Sequence, residues 1–353
     1  MMDQFWTGKK VLVTGHTGFK GSWLCAVLLH RGAEVVGYSL PASTTPNLAE
    51  SLSLDMESVN GDITNPEAIT EVLSVHQPDI VFHLAAQALV RDSYRDPLGT
   101  FFTNAFGTAA LLDGVRNSPA AKVIINITTD KVYENKESIA GYAESDRLGG
   151  YDAYSASKAC SEIITGSYRD AFLAPLGKRT ATARAGNVIG GGDWSADRIV
   201  PDLIRSMTSG GQPILRNPNA VRPWQHVLEP LYGYILLAEK LWEDEQFSGA
   251  WNFGQTINQG VTVGELASRL IRQWGGLPLF AYDNSEQPHE THTLLLNSDK
   301  ARHLLGWSSR LTFDDTLSWT GDWYRAFYDG EDMLAFTFRQ IKQYEQLEVN
   351  RLG

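Results

Sequence analysis

The sequence has few cysteines, a deficit of positive charge and no long apolar run. Its two cysteines, Cys25 and Cys160, lie inside apolar helical patterns, which fits a reducing compartment. A net charge of −11 disfavours nucleic acid or an anionic membrane as the main partner. No stretch reaches the ~18 apolar residues of a membrane span, and the first residues lack an apolar core of signal-peptide length. We therefore expect a cytoplasmic protein that binds neither nucleic acid nor membrane.

Strand and helix patterns alternate through the first half of the chain. Near-continuously apolar strands that alternate with helices predict an α/β fold with a doubly wound parallel sheet, the Rossmann arrangement. The predicted strands are 11–15, 34–39, 79–86, 122–129 and 180–190, and the predicted helices are 22–32, 100–117 and 154–172.

The pattern changes after Asn187. At 353 residues the chain exceeds the usual size of a single core, and glycine- and proline-rich loops now separate the helices. A helix at 228–242 and a strand at 250–254 are predicted to return to the main sheet. We expect two domains: a dinucleotide-binding domain of 1–186 plus roughly 223–256, and a smaller mixed α/β substrate-binding domain of 187–222 plus roughly 257–353.

The segment GHTGFKG follows the first predicted strand and opens a helix. Gly15, Gly18 and Gly21 have the spacing that allows a tight turn and a close approach of backbone N–H groups to a pyrophosphate. The helix N-terminus then favours the phosphate charge. This context predicts a dinucleotide site.

The identity of the dinucleotide depends on the end of the second strand. Tyr38 and Ser39 stand where an acid usually holds the adenosine ribose, which weakens the usual argument for NAD. However, residues 32–90 contain no Lys or Arg to meet a 2′-phosphate, and Lys20 in the glycine turn is the one nearby cation. We predict NAD.

Four segments end where a doubly wound sheet binds its ligands: LAAQ (84–87), TTDK (128–131), the start of YSASK (154–158) and RAGN (184–187). Tyr154 and Lys158 are one helical turn apart, so both side chains face the same way. A cationic Lys158 is expected to lower the pKa of Tyr154, so that the phenol can act as a base. The alternative for each isolated motif is an ordinary loop or a solvated helix face.

The combined motifs resemble the extended short-chain dehydrogenase/reductase family over essentially the whole chain. TTDKVY is similar to a segment of the nucleotide-sugar 4,6-dehydratases in that family, in which a glutamate follows the Asp. GHTGFKG, GYDAYSASK, RAGNVIGGGDW and RNPNAVRPWQHVLEP resemble the members that act on CDP-D-glucose. The resemblance therefore implies CDP-D-glucose as substrate and CDP-4-dehydro-6-deoxy-D-glucose and water as products.

The resemblance also implies roles for five residues. Tyr154 would take the C4 hydroxyl proton, with Lys158 holding the phenolate and the nicotinamide ribose, and Thr129 would bind the C4 oxygen. Asp130 would protonate the departing C6 hydroxyl. Lys131 stands where relatives place the base for the C5 proton, and we leave two roles open for it: a base, or a cation that stabilises the enolate.

Binding residues are predicted on the same grounds. Expected cofactor contacts are Gly15, Thr17, Gly18, Phe19, Lys20, Gly21, Ser39, Asp62, Ile63, Leu84, Ala85, Ala86, Thr103, Thr128, Tyr154 and Lys158. Expected substrate contacts are Gln87, Arg91, Thr129, Asn187, Arg198, Arg222 and His226. We predict no metal site, because His289, Glu290 and His292 lack the i, i+4 histidine pair of a zinc helix. His292 also lies where the family often carries a substrate-facing arginine, so its role stays open.

Two other functions stay open at this point. A dehydratase for another nucleotide sugar, or a 4-epimerase, would share most of these motifs, although an epimerase needs no elimination acid such as Asp130. A non-catalytic dinucleotide-binding regulator would not need Thr129, Tyr154 and Lys158. The resemblance further implies a homodimer or homotetramer that assembles through the helices 100–117 and 154–172.

Overall fold

The computed structural model describes residues 5–255, 260–277, 279–283 and 294–347. Seven parallel strands form the main sheet: β1 Lys10–Thr14, β2 Glu34–Ser39, β3 Glu57–Asn60, β4 Ile80–His83, β5 Val123–Ile127, β6 Arg179–Arg184 and β11 Gly249–Asn252. Their order is β11-β6-β5-β4-β1-β2-β3. The order reverses between β1 and β4, and ligands of doubly wound sheets bind at such a point. The predicted Rossmann sheet is confirmed.

Short strands and helices complete the described part of the chain. The two-residue strands are β7 Val188–Ile189, β8 Ile214–Leu215, β9 Val221–Arg222, β10 Gln225–His226, β12 Val261–Thr262 and β13 Ala281–Tyr282. The helices are α1 Phe19–His30, α2 Leu48–Leu52, α3 Pro66–His76, α4 Val90–Arg95, α5 Pro97–Phe101, α6 Gly107–Asn117, α7 Ala153–Tyr168, α8 Ile199–Thr208, α9 Leu228–Glu243, α10 Val263–Gln273, α11 Phe313–Tyr328 and α12 Met333–Gln346. Within the described ranges, no helix has the length and apolar character that a bilayer crossing requires.

The sheet separates two apolar layers. Along β1, Val11 and Val13 pack into one buried cluster and Leu12 into the other, as the alternation of side chains along a strand requires. Trp23 of α1 belongs to the first cluster and Leu111 of α6 to the second. Burial on both faces explains why the central strands lack polar alternation.

Two differences from the sequence prediction have local causes. β3 was not predicted, because Glu57–Asn60 is polar and lies at an exposed edge of the sheet. The predicted helix 100–117 is interrupted by a π-helical segment, Phe102–Phe106, between α5 and α6. As predicted, α9 packs against the main sheet and β11 extends it.

A buried ion pair joins α7 to the ends of β5 and β6. Both oxygens of the Glu162 carboxylate accept from the Arg184 guanidinium, at 2.9 and 2.8 Å. The same carboxylate accepts from the hydroxyls of Thr128 at 2.5 Å and Thr182 at 2.7 Å. All of these side chains are buried, so the pair sets how α7 lies against the strand ends.

Replacing Glu162 with Ala should lower the free energy of unfolding by about 3–5 kcal/mol, because Arg184 would remain buried without its counter-charge. Chemical denaturation measures this change. The control is Asp92→Ala, which removes an exposed pair with Arg95 and should cost no more than about 1 kcal/mol. Equal, small effects of both substitutions would contradict the structural role of Glu162.

Candidate active site

The turn between β1 and α1 brings backbone N–H groups to the edge of the sheet. Gly15 has φ +74°, and a Cβ there would lie 2.7 Å from the backbone nitrogen of Ala85. A Cβ on Gly21 would lie 2.1 Å from the Gly15 carbonyl oxygen, so neither position accommodates a side chain. No side chain caps the N-terminus of α1, which leaves its N–H groups available to an anion.

Two hydroxyls meet at the end of β2, the position at which many dinucleotide sites carry an acidic residue. The oxygens of Thr17 and Ser39 lie 2.7 Å apart, and Thr17 donates to the Leu40 carbonyl at 2.9 Å. Nearby, Asp62 is exposed and its carboxylate accepts from Thr64, whereas Ile63 is buried in the apolar layer. Uncharged hydrogen-bonding groups therefore face the position predicted for a ribose.

The remaining predicted cofactor residues follow β4 and β5 or precede α6. The backbone N–H groups of Leu84 and Ala85 both donate to the Thr14 hydroxyl at 3.2 Å, which ties this segment to β1. Thr128 is held by Glu162, and Thr103 lies in the π-helical segment. Leu84, Ala85 and Thr128 thus lie just after the carboxyl ends of β4 and β5.

A cavity of about 720 Å³ opens at this edge. It collects side chains from distant parts of the chain, and among the predicted site residues it is lined by Phe19, Lys20, Arg91, Thr129, Asp130, Lys131, Tyr154, Asn187, Arg198 and Arg222. Lys158 is buried and is not among the lining residues, and its side-chain amine donates to the Ile127 carbonyl at 3.0 Å.

The electrostatics of Tyr154 differ from the sequence expectation. Burial raises the pKa of Tyr154 to about 12, and Asp130 also raises it, while a hydrogen bond with Thr129 and the charge of Arg198 act in the opposite direction. Burial lowers the pKa of Lys158 to about 8, against the effect of Glu162. The expected lowering of the phenol pKa is therefore wrong for this structure, because desolvation of the phenolate outweighs the nearby cations.

Asp130 is a buried carboxyl beside three cations. Burial has the largest effect and raises the pKa of Asp130. The pKa is lowered, in order of decreasing effect, by Lys131, by the hydrogen bond from Thr129, by Arg222 and by Lys20. The Thr129 hydroxyl donates to the carboxylate at 2.8 Å. A Cβ on Gly186 would lie 1.9 Å from the same carboxylate, so the glycine makes room for it. A carboxyl whose pKa is raised by burial suits an acid that gives a proton.

The three arginines predicted to bind substrate are among the residues of this cavity. Arg198 donates to Asp193 at 2.8 Å, and Arg91 lies 3.6 Å from Asp197. Arg222, on β9, donates to the Val221 carbonyl at 2.9 Å. These arginines line the cavity, and guanidinium groups bind phosphate well.

Gln87 lies next to the cavity, and its side chain is engaged elsewhere. Its amide nitrogen donates to Leu89 and Thr100, both at 3.0 Å, and its backbone N–H donates to Asn104 at 2.8 Å. Asn104 also donates to Ser157 of α7 at 2.9 Å, so it anchors this loop to the helix that carries Tyr154. Sequence reasoning missed Asn104, Asp193 and Glu162, although each lies inside or beside a segment already singled out.

His226 does not line the cavity. It is fully buried on β10, with its ring edge-on to Trp23 at 6.0 Å and to Trp319 at 5.8 Å. Its Nδ1 accepts from the backbone of Leu228, and burial lowers its pKa to about 3. This placement does not support the predicted sugar contact, because a neutral ring in the core cannot reach the substrate.

The chain is similar to known proteins over nearly its whole length. Residues 12–320 match the family described as GDP-mannose 4,6 dehydratase. The chain belongs to this family. It is 46% identical over 353 residues to the CDP-glucose 4,6-dehydratase of Salmonella typhimurium, with 98% of each chain covered. It is 25% identical to the dTDP-glucose 4,6-dehydratase of Shigella flexneri, over 90% of this chain and 93% of the relative.

Solved structures share the fold. The dTDP-glucose 4,6-dehydratase of Streptomyces venezuelae, solved with NAD, superposes with a TM-score of 0.79 and 24% identity over 92% of this chain and 99% of that chain. The UDP-glucose 4-epimerase of Thermotoga maritima superposes with a TM-score of 0.80 and 23% identity over 90% of this chain and 99% of that chain.

The residues that were weighed for a metal site, His289, Glu290 and His292, lie outside the described residues.

Replacing His226 with Phe should make stability less dependent on pH. The unfolded histidine gains a proton below pH 6.5, whereas the native one stays neutral down to about pH 3, so this residue destabilises the fold as pH falls below 6.5. The loss of unfolding free energy from pH 7 to pH 5 should be smaller by about 2 kcal/mol in the variant. Denaturation at both pH values measures it, and an unchanged difference would show that His226 is accessible to protons.

Proposed function

We propose that this chain is an NAD-dependent CDP-D-glucose 4,6-dehydratase, a hydro-lyase that forms CDP-4-dehydro-6-deoxy-D-glucose and water. The observation that carries the proposal is the buried Asp130 carboxyl in one cavity with Thr129 and Tyr154, because an elimination needs an acid and an epimerisation does not. The substrate is inferred from the full-length similarity to the Salmonella enzyme of that name.

The glycine turn and the β2 hydroxyls fit NAD. Gly15, Gly18 and Gly21 would hold the pyrophosphate at the N-terminus of α1, and the Thr17–Ser39 pair would hold the adenosine ribose. When bound, NAD would accept a hydride from C4 and return it to C6. The absence of Lys and Arg from residues 32–90 favours NAD over its 2′-phosphorylated form.

Tyr154 takes the proton of the C4 hydroxyl in this proposal, and Thr129 orients the oxygen. Because burial raises the pKa of Tyr154, the phenol needs cationic neighbours to act as a base. Arg198 already lowers its pKa, and Lys158 lies one helical turn away. We place Lys158 as the group that holds the phenolate once the cavity is filled.

The elimination follows from the ketone at C4, which makes the C5 proton acidic. Asp130 gives its proton to the C6 hydroxyl, which leaves as water. Lys131 is half-buried and lines the cavity, and it would take the C5 proton or stabilise the enolate, the two roles left open from the sequence. Asn187, Arg198 and Arg222 would hold the sugar nucleotide through charge-assisted contacts.

The assembly and compartment are part of the same proposal. We infer a homodimer or homotetramer that assembles through the helices at 100–117 and 154–172, in the cytoplasm. Phe102, Phe106 and Ile163 support this, because they are exposed on those helices and would be covered by a second copy. A monomer mass by light scattering would contradict the proposed oligomer.

The division into a cofactor domain and a sugar-nucleotide domain is likewise proposed.

Incubation with CDP-, dTDP-, UDP- and GDP-glucose tests the function. We expect a 4-keto-6-deoxy product, with loss of water, from CDP-D-glucose and at most weak turnover of the others. Mass spectrometry distinguishes this product from an epimer, which keeps the substrate mass. Turnover of another nucleotide sugar alone would contradict the proposed substrate, and turnover without loss of water would contradict a dehydratase.

Replacing Asp130 with Asn should separate oxidation from elimination. The amide cannot supply the proton, so dehydration should fall by about 10²–10⁴-fold. Oxidation at C4 should persist, and reduced nicotinamide should accumulate as an absorbance change. The control, Asp146→Asn, alters an exposed carboxylate outside the cavity and should behave like wild type. Dehydration at the wild-type rate in the Asp130 variant would remove it from the mechanism.

A further inference from the structure

His83 is a buried histidine that the proposed mechanism does not use. It is the last residue of β4, directly before Leu84 and Ala85. Its Nδ1 lies 2.8 Å from the hydroxyl of Thr14 at the end of β1, and its Nε2 lies 3.3 Å from the hydroxyl of Thr108 on α6. All three side chains are buried, so each of their polar atoms depends on a partner within the protein.

The hydrogen bonds at Thr14 decide which nitrogen of the ring carries a proton. A hydroxyl group has one hydrogen and two lone pairs. The Thr14 oxygen already accepts from the backbone N–H groups of Leu84 and Ala85, both at 3.2 Å, so its hydrogen points to Nδ1 of His83. Nδ1 is therefore an acceptor, and a neutral ring carries its proton on Nε2.

The hydrogen bonds at Thr108 agree with this assignment. The Thr108 hydroxyl donates its one hydrogen to the Asn104 carbonyl at 2.7 Å. Its two lone pairs then accept from Nε2–H of His83 and from the hydroxyl of Ser161 on α7, which lies 2.8 Å away. Ser161 in turn accepts from the Asn126 amide at 2.9 Å. A continuous series of satisfied hydrogen bonds therefore runs from β1 to α7.

A second proton on His83 would break this series, because Nδ1–H would then face the hydroxyl hydrogen of Thr14. Burial, and to a smaller extent the charge of Lys158, lower the pKa of His83 to about 3. The ring is therefore neutral near pH 7, which is the state that the hydrogen bonds require.

The backbone that Thr14 holds lies beside the glycine turn. A Cβ on Gly15 would lie 2.7 Å from the Ala85 nitrogen and 2.8 Å from the Leu84 carbonyl carbon. The hydrogen bonds to Thr14 orient these two N–H groups at the edge where doubly wound sheets bind a dinucleotide. The orientation of one buried hydroxyl therefore determines the shape of the backbone next to the predicted pyrophosphate site.

Resting on the proposed function, we propose that His83 is a positioning residue for NAD. Its Nδ1 accepts the Thr14 hydrogen and thereby keeps both lone pairs of that hydroxyl directed at Leu84 and Ala85. Without this acceptor the hydroxyl can rotate, and the backbone beside the glycine turn is no longer held in one arrangement. His83 acts through Thr14 and is not itself a cofactor contact.

Two substitutions of His83 separate the two ends of the ring. His83→Asn places an amide oxygen near the position of Nδ1 and keeps an acceptor for Thr14, whereas His83→Gln places its amide near Nε2 and keeps only the contact with Thr108. His83→Gln should raise the Kd for NAD by about tenfold or more, because a buried hydroxyl loses its acceptor, and His83→Asn by less than about threefold. Titration calorimetry of the full-length protein with NAD measures both values. Equal weakening by both substitutions, or wild-type affinity in His83→Gln, overturns the proposal.

Substitutions of Thr14 provide a test that does not depend on the folding of the His83 variants. Thr14→Ser keeps the hydroxyl and should bind NAD like wild type, whereas Thr14→Val should weaken NAD as much as His83→Gln does. Combining Thr14→Val with His83→Gln should weaken NAD no further, because both act through one hydroxyl. The control is the exposed His303→Gln, which should match wild type. Wild-type affinity in Thr14→Val, or additive losses in the double variant, overturns the proposal.

The state of the ring can be measured in protein with an unaltered His83. In long-range ¹H–¹⁵N spectra of histidine-labelled protein, the ring signal that shifts on Thr14→Ser substitution identifies His83. This ring should carry its proton on Nε2 and stay neutral from about pH 8 to about pH 5. A proton on Nδ1 overturns the proposal. Wild type that binds no NAD would instead refute the proposed function, so the two failures are distinguishable.

Discussion

The parallel alignment of β1, β4, β5 and β6 is the constraint on which the rest of the site depends. Because these strands run the same way, their carboxyl ends meet at one edge, and the segments that follow them are brought together from residues 15 to 187. The Glu162–Arg184 ion pair connects α7 to the end of β6 at the same edge. Tyr154 of α7 therefore shares the cavity with Thr129 and Asp130 although these residues are far apart in the sequence.

Charge is distributed unevenly in this molecule. The chain carries a net charge of −11, yet the cavity that holds Asp130 is also lined by Lys20, Lys131, Arg198 and Arg222. Cations inside an acidic protein suit a substrate with two phosphate charges, and they also bias every proton transfer within the cavity. Burial opposes ionisation of Lys20, Asp130 and Tyr154, so it lowers the pKa of the amine and raises the pKa of the carboxyl and of the phenol.

Much of the fold and part of the site could be predicted from the sequence. The boundaries of β2 were predicted residue for residue, because Glu34–Ser39 has an unambiguous apolar pattern between polar turns. β3 was not predicted, because a strand at the edge of the sheet can be polar and exposed and then lacks an apolar pattern. The predicted sugar contact of His226 is not supported, because its neighbours in space are Trp23 and Trp319, which the sequence pattern does not reveal.

By itself the sequence determined the layered fold, the glycine turn and the identity of the residues at the strand ends, because these depend on local periodicity and on short spacings. Only the tertiary structure decided how those residues are charged. The raised pKa values of Tyr154 and Asp130 arise from burial, against the effect of the nearby cations, whereas burial and the cations Arg198 and Lys158 together lower the pKa of Lys20. Desolvation and Coulomb interactions depend on distance in space, which the order of residues along the chain does not contain.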